Sequence, residues 1–137
     1  MGGSPMPLLS RKGILAIIVV LDIAVHAQGR PVTGRMLSRR YGLSPRHLEL
    51  VLQVLVRHGI LRGIRGRRGG YDLAREPARI SANDIVRAAA ALDEAHAFPA
   101  PIARLISKVI MPALGRAEQA FSAALTRISL KDLARLG

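Results

Sequence analysis

The 137-residue sequence contains no cysteine and no tryptophan, and aromatic residues make up only 3% of it. The absence of cysteine excludes disulfides, thiolate metal sites, cysteine-ligated iron–sulfur clusters and cysteine nucleophiles. No Ser-His-Asp, paired-carboxylate or phosphate-loop pattern is present, because the four histidines are scattered and GRRGG lacks the Gly-Lys-Ser/Thr ending of a P-loop. The sequence therefore predicts a helical core of Leu, Ile, Val and Ala in a protein that is not an enzyme.

Acidic residues are also scarce, with nine Asp and Glu against 21 Lys and Arg, which gives a formal net charge of +12. Residues 30–79 alone contain twelve Arg and three acidic residues. A protein that is merely soluble would spread its charge evenly, whereas clustered positive charge favours a polyanion, because each neutralised phosphate releases condensed counterions. Arg outnumbers Lys by eighteen to three, which favours bidentate contacts to phosphate or guanine. We expect a nucleic-acid partner.

Long apolar runs are missing as well. The run at 14–21 is interrupted by Asp22 and falls far short of the ~18 residues that a membrane-spanning helix needs. Its flanks could mimic a secretory signal cleaved before Gln28, but that cleavage would remove a helix that the rest of the fold needs. We therefore expect a cytoplasmic, nucleoid-associated protein without a membrane partner, whose residues 1–5 have the composition of a cloning leader.

Apolar spacing and capping residues predict a helix-turn-helix in the first half of the chain. Residues 14–26 are apolar on most faces, which indicates a buried helix. A short helix is expected to start after Thr33 and to end at Gly42, and Ser44 with Pro45 is a strong start for the next. Two helices separated by so short a turn are typical of a helix-turn-helix.

A β-hairpin is predicted directly after these helices. Residues 60–64 and 71–73 are rich in apolar and β-branched side chains and could pair across the segment RGRRGG. The glycines permit a tight turn, and the arginines are then presented at its tip. A hairpin in this position forms the wing of a winged helix-turn-helix.

The C-terminal half is predicted to contain a long helix. Ser81 with Asp84 makes a capping-box start for a helix to about residue 92, and a similar start at Ser129 opens a short last helix. Between them, apolar residues recur at intervals of three and four from 102 to 128, and Pro112 predicts a kink or break there. We expect a DNA-binding domain at 6–92, a linker loop at 93–101, and a dimerisation helix plus the short helix at 102–137.

The apolar stripe of the long helix needs a surface to cover it. Burial against a second copy is the leading interpretation, and packing within the same protomer is the alternative. The residues assigned to the dimer interface are Ile102, Leu105, Ile106, Val109, Ile110, Leu114, Phe121 and Leu125.

In their order, these motifs resemble the Rrf2 family of bacterial regulators, the group that includes IscR, NsrR and CymR. The resemblance extends from Ser10 to Leu136 and rests on SRKG at 10–13, LD at 21–22, LS at 43–44, LE at 48–49 and, most specifically, RGRRGGYDL at 65–73. It implies a mainly α fold with a small β-hairpin wing, in which a winged helix-turn-helix is followed by a long dimerisation helix. It also implies that a recognition helix at 44–58 enters the major groove of double-stranded DNA and that the wing enters the minor groove.

The resemblance and the exposed amino-terminal end of the recognition helix suggest a set of DNA-binding residues. Glu49 matches an acidic residue that resembles a sequence reader, although a salt bridge to an Arg would explain it equally well. The wing arginines are expected in the minor groove, and those at the end of the second helix on phosphates. The complete set is Arg39, Arg40, Ser44, Arg46, His47, Glu49, Arg65, Arg67 and Arg68.

The sequence departs from the family pattern at two points. Ile14-Leu15 follows Gly13 where members usually have Arg-Tyr, which predicts the loss of one phosphate contact. Iron–sulfur members place three Cys in the segment that corresponds to residues 93 to about 111, and this chain has none. We expect no cofactor, since Asp93, Glu94 and His96 match no strong metal template.

Together these features predict a sequence-specific transcriptional regulator, a repressor that binds a pseudo-palindromic operator as a homodimer. A non-specific basic protein of the chromosome or ribosome is the alternative. An effector is expected either as a small molecule near Phe98 and Met111 or as a partner protein, with Pro112 as a hinge.

Overall fold

The computed structural model describes residues 9–94 and 98–136. No helix in these ranges is long and apolar enough to cross a membrane. The helices are α1 Arg11–His26, α2 Gly34–Tyr41, α3 Pro45–Arg57, α4 Ala82–Glu94, α5 Ala100–Leu105, α6 Met111–Thr126 and α7 Leu130–Leu136, with a 3₁₀ turn at Pro77–Arg79 and a π-helical turn at Ile106–Ile110. The strands are β1 Leu61–Ile64 and β2 Gly70–Leu73.

The predicted helix starts are confirmed with two adjustments. The α1 helix begins three residues earlier than expected, because the Ser10 hydroxyl accepts a hydrogen bond from the Gly13 amide at 3.0 Å. Thr33 caps α2 through the Met36 amide at 3.1 Å, and Gly42 ends it with φ +65°. Ser44 occupies the N-cap position of α3, but its hydroxyl forms no capping bond, contrary to expectation.

The core is aliphatic, as the composition requires. The α1, α3 and α4 helices pack together around side chains that are at most 2% exposed. These include Val19, Val20, Ile23, Leu48, Leu52, Leu55 and Ile85. The core therefore fixes α3 from one side only and leaves the opposite face of this helix in solvent.

The wing is tied to the connection between α1 and α2. Its strands pair antiparallel, with Leu61 opposite Leu73 and Ile64 opposite Gly70. The main chain of Val32 exchanges two hydrogen bonds with Tyr71, at 2.8 and 2.9 Å. This bridge, which the sequence did not predict, fixes the wing against the residues that precede α2.

The last helix packs with the main hydrophobic core rather than with the long helix. Leu130 is fully buried in the main cluster, and its amide donates to the Ile80 carbonyl at 2.7 Å. The Ala82 amide donates to the Ile128 carbonyl at the same distance. The expected division at residue 102 therefore needs correction, because α7 returns to pack on α1.

The long helical segment, defined as residues 100–126, stays helical through Pro112. The amide of Met111 donates to the carbonyl of Ile106, five residues back, in the π-helical turn directly before the proline. Such a turn rearranges the hydrogen bonds that a proline disrupts. The predicted loop at 93–101 is shorter than expected because α4 continues to Glu94 and α5 starts at Ala100.

Replacing Ser81 with Ala is expected to lower the free energy of unfolding by about 1 kcal/mol, because Ser81 and Asp84 form a reciprocal capping box. The Asp84 amide donates to the Ser81 hydroxyl, and the Ser81 amide to the Asp84 carboxylate, both at 3.0 Å. Urea unfolding followed by circular dichroism measures the change. Ser107→Ala, at an exposed position, is the control, and an equal loss in both variants would contradict the capping role.

Candidate nucleic-acid interface

The amino-terminal half of α3 presents a solvent-exposed face. Arg46, His47 and Glu49 are exposed there, on the side away from the buried Leu48. The Ser44 hydroxyl, which makes no capping bond, is exposed at the start of the same helix. Leu50, which sequence reasoning missed, is 54% exposed on this face. An apolar side chain among polar ones suits contact with a thymine methyl group.

A cleft of about 750 Å³ separates α2 from α3. Arg35 and Arg39 line it from α2, Glu49 lines it from α3, and Tyr71 contributes from β2. Within the described ranges Glu49 forms no ion pair with an arginine, so the salt-bridge alternative finds no support. The Glu49 carboxylate and two guanidinium groups therefore remain available to a ligand in one cleft.

The wing presents its arginines at an exposed tip. Arg65, Arg67 and Arg68 are all exposed, and Gly66 takes φ +109°, which glycine adopts without strain. A Cβ atom on Gly69 would lie 2.2 Å from the Ile64 carbonyl oxygen, so only glycine permits this tight turn. The glycines thus serve the backbone, and the arginines stay free to contact a ligand.

Arg40, which was predicted to contact a phosphate, forms an ion pair with Asp22 of α1, unlike its neighbour Arg39. Its Nη1 atom lies 2.6 Å from both carboxylate oxygens of Asp22, a residue whose side chain is fully buried in α1. The Tyr41 hydroxyl donates to the same carboxylate, and His26 Nδ1 lies 3.4 Å from it. Arg40 therefore ties α2 to α1, and its assignment to a phosphate stays a prediction.

The Asp22 carboxylate also changes the acidity of its partners. Its hydrogen bond raises the pKa of Arg40 and the pKa of Tyr41, since it favours the charged guanidinium and the neutral phenol. Tyr41 thus stabilises the fold below its ordinary pKa of about 10 and loses this contribution as the pH rises further. At neutral pH the whole network stays in place.

The long helical segment exposes most of the residues that were assigned to a dimer interface. Ile102, Leu105, Val109, Ile110 and Leu114 are 44 to 59% exposed. Ile106 and Phe121 are partly buried, and Leu125 is only 9% exposed because it packs with Leu9 and Ala82 in its own protomer. The exposed stripe is therefore shorter than expected and lies on the first half of the segment.

A groove of about 920 Å³ lies between α4 and the long helical segment. Arg87 and Ala90 line it from α4, and Met111 and Leu114 line it from the segment. Phe98, which was expected near an effector site, is 60% exposed and does not line the groove. The groove thus joins α4 to the exposed stripe, since Ile110 and Leu114 belong to both the groove and the stripe.

Within the described ranges no group of three His, Asp or Glu side chains could hold a metal ion. The side chains of Asp93, Glu94 and His96 lie outside the described residues.

Besides Leu50, sequence reasoning missed two contributions to the site. Asp22 gave only a weak signal, as the one acidic residue in the apolar run, and its partner lies 18 residues away. Arg30 lines a concavity together with Arg67 and Arg68, although it precedes α2 and the wing in the chain. The Val32–Tyr71 bridge brings these segments together.

Similar proteins are known for the whole fold and for an 80-residue part of the sequence. The chain is 36% identical over 80 residues to the HTH-type transcriptional regulator IscR of Xenorhabdus nematophila, a match that covers 58% of this chain and 49% of that protein. The chain thus spans about half the length of the curated relatives it matches. Its structure resembles IscR of T. potens, with TM-score 0.71, 30% identity, and 98% and 88% of the two chains covered.

The structure also resembles CymR, described as the global cysteine regulator of B. subtilis. That likeness has TM-score 0.72 and 26% identity, and covers 94% of this chain and 97% of CymR. A model of the Rrf2 family, described as iron-dependent transcriptional regulators, matches residues 9–136. Since this match includes the capped helix-turn-helix, the arginine-tipped wing and the long helical segment, the chain belongs to the Rrf2 family.

Proposed function

We propose that the protein is a sequence-specific DNA-binding transcriptional regulator, a repressor that binds a pseudo-palindromic operator as a homodimer in the nucleoid. The observation that supports this most is the arrangement of α3 and the wing. The exposed end of α3 carries Arg46 and Glu49, and the wing tip presents Arg67 and Arg68. A helix of this kind fits the major groove, and arginines fit a narrow minor groove.

Specific reading needs groups that discriminate between bases as well as groups that attract phosphate. Glu49 can accept a hydrogen bond from a cytosine amino group and repels phosphate elsewhere, so it penalises wrong sequences. Arg39, exposed in the same cleft, is placed to contact a phosphate. A non-specific basic protein would gain nothing from a carboxylate in this cleft, so the structure does not favour that alternative.

Regulation in this proposal does not use a cysteine-ligated cluster, since the sequence has no cysteine. The groove between α4 and the long helical segment is large enough for a small molecule, and Met111 lines it as expected. An effector there would act on the relative position of the DNA-binding core and the exposed stripe. A partner protein on the basic surface is the other route.

The first test is genome-wide selection of bound DNA fragments by the purified protein at physiological salt. The intact protein is expected to select a two-fold symmetric motif, and the double variant Arg67→Ala/Arg68→Ala to lose it, with about 100-fold weaker binding to the selected site. The charge-matched control is Arg116→Ala/Arg127→Ala, which removes one arginine from α6 and one directly after its end. Recovery of fragments without a shared motif by the intact protein would favour a basic architectural protein instead.

A further inference from the structure

A small concavity of about 380 Å³ lies between the wing tip and the connection before α2. Arg67 and Arg68 line it from the wing, and Arg30 lines it from the connection. Its remaining lining residues are Gly29, Pro31, Thr33, Met36 and Gly69, so the concavity contains no acidic side chain.

The backbone holds these two segments side by side. The Val32–Tyr71 bridge joins them two residues after Arg30 and three after Arg68. A Cβ atom on Gly70 would lie 2.7 Å from the Val32 carbonyl oxygen and 3.1 Å from the Pro31 Cβ atom, so glycine is required for this close approach. The proximity of Arg30 to the wing arginines is thus built into the fold.

Three uncompensated guanidinium groups in one concavity repel each other. In the described parts of the chain, Arg30, Arg67 and Arg68 form no ion pair. By contrast, Arg62 on the adjoining strand lies 3.5 Å from the Asp72 carboxylate. Like charges that share a pocket without a counter-ion are relieved by an anion, and planar guanidinium groups match the oxygens of phosphate.

We propose that Arg30, Arg67 and Arg68 together bind one phosphate of the DNA backbone at the edge of the minor groove that the wing enters, between the wing and the start of α2. This rests on the proposed function, because it assigns the phosphate to the operator DNA. Arg30 then extends the contact of the wing to a phosphate that the hairpin alone would not enclose. Thr33, which caps α2, lines the same concavity, and the positive end of the helix favours the anion further.

The salt dependence of DNA binding tests the role of Arg30. Arg30→Ala is expected to reduce the slope of log affinity against log salt concentration by about one unit for each Arg30 that contacts DNA. Arg127→Ala, which removes the same charge from the end of α6, is expected to leave the slope unchanged. Equal slopes for the intact protein and Arg30→Ala would overturn the proposal, as would an equal loss in both variants.

Single methylphosphonate substitutions in the selected operator locate the phosphate. The intact protein is expected to lose about tenfold in affinity at one such position in each half-site, whereas Arg30→Ala loses nothing further there. If every methylphosphonate position weakened the binding of Arg30→Ala as much as that of the intact protein, the assignment would be overturned.

Free phosphate is the other source of the same chemistry, and calorimetric titration with tripolyphosphate in the absence of DNA distinguishes it. Suppose that tripolyphosphate binding depends on Arg30 but no methylphosphonate position is affected by Arg30→Ala. The concavity would then bind a free anion rather than a DNA phosphate. Random-sequence duplex suffices for the slope measurement, so the loss of slope can be observed even where no operator motif is selected. Failure of the proposed function and failure of this inference are therefore distinguishable.

Discussion

Arg40→Ala is expected to lower the free energy of unfolding by about 3 kcal/mol, whereas Arg39→Ala leaves it nearly unchanged. The reason is that Arg40 is the closest cationic partner of Asp22, whose carboxylate is fully buried. The Arg40 side chain is itself 35% exposed, but its removal takes away the cation that balances the buried Asp22 carboxylate. Arg39 is exposed in the cleft between α2 and α3, so its loss uncovers no buried group.

Urea unfolding and DNA titration of the two variants separate stability from binding. For a protein of this size, a loss of 3 kcal/mol corresponds to a decrease of about 10 °C in the melting temperature. Arg39→Ala is expected to weaken DNA binding several-fold at an unchanged melting temperature, as a lost phosphate contact does. If Arg40→Ala were as stable as the intact protein but bound DNA more weakly, Arg40 would be a phosphate contact. Its structural role would then be contradicted.

The Arg39–Arg40 pair shows why sequence reasoning reached only part of the site. Adjacent residues of a helix point about 100° apart, so one faces the cleft and the other faces α1. Which of them faces the cleft depends on Asp22, a residue of another helix. Charge counting treats the two arginines as equal, and only the packing of α2 against α1 distinguishes them.

Local signals were sufficient for most of the fold. The Ser81–Asp84 and Ser129–Asp132 boxes form as predicted because each involves residues three apart in the chain. The wing turn follows from its own glycines in the same way. Family resemblance added what local signals could not supply, namely the DNA grooves that the recognition helix and the wing are expected to enter.

Local sequence signals do not predict contacts between segments that are far apart in the chain. The return of Leu130 to the main core and the bridge from Val32 to Tyr71 join residues far apart in sequence. Pro112 illustrates a related difficulty. A proline predicts a disrupted helix, but the sequence does not show how the backbone hydrogen bonds around it rearrange. Here the hydrogen bonds rearrange into the π-helical turn at 106–110, and the segment stays helical.

The double variant Leu105→Glu/Val109→Glu is expected to convert a dimer into monomers of 14.7 kDa and to weaken operator binding by a factor on the order of a hundred to ten thousand. Leu105 and Val109 are 59% and 55% exposed, one helical turn apart, so the substitutions cost the isolated protomer little. In a dimer they would place four carboxylates in an apolar interface. Light scattering after gel filtration measures the mass, and fluorescence anisotropy measures the affinity.

The large loss in affinity follows from the way a dimer reads two half-sites. Once one recognition helix is bound, the second meets its half-site at a high effective concentration, which a monomer lacks. The matched control is Ala103→Glu/Ser107→Glu, which adds the same charge at the same spacing but off the apolar stripe, and which is expected to stay dimeric. If Leu105→Glu/Val109→Glu remained a dimer, the stripe would not be the interface. If it became monomeric with undiminished operator affinity, each protomer would read DNA alone and the two-fold operator would be excluded.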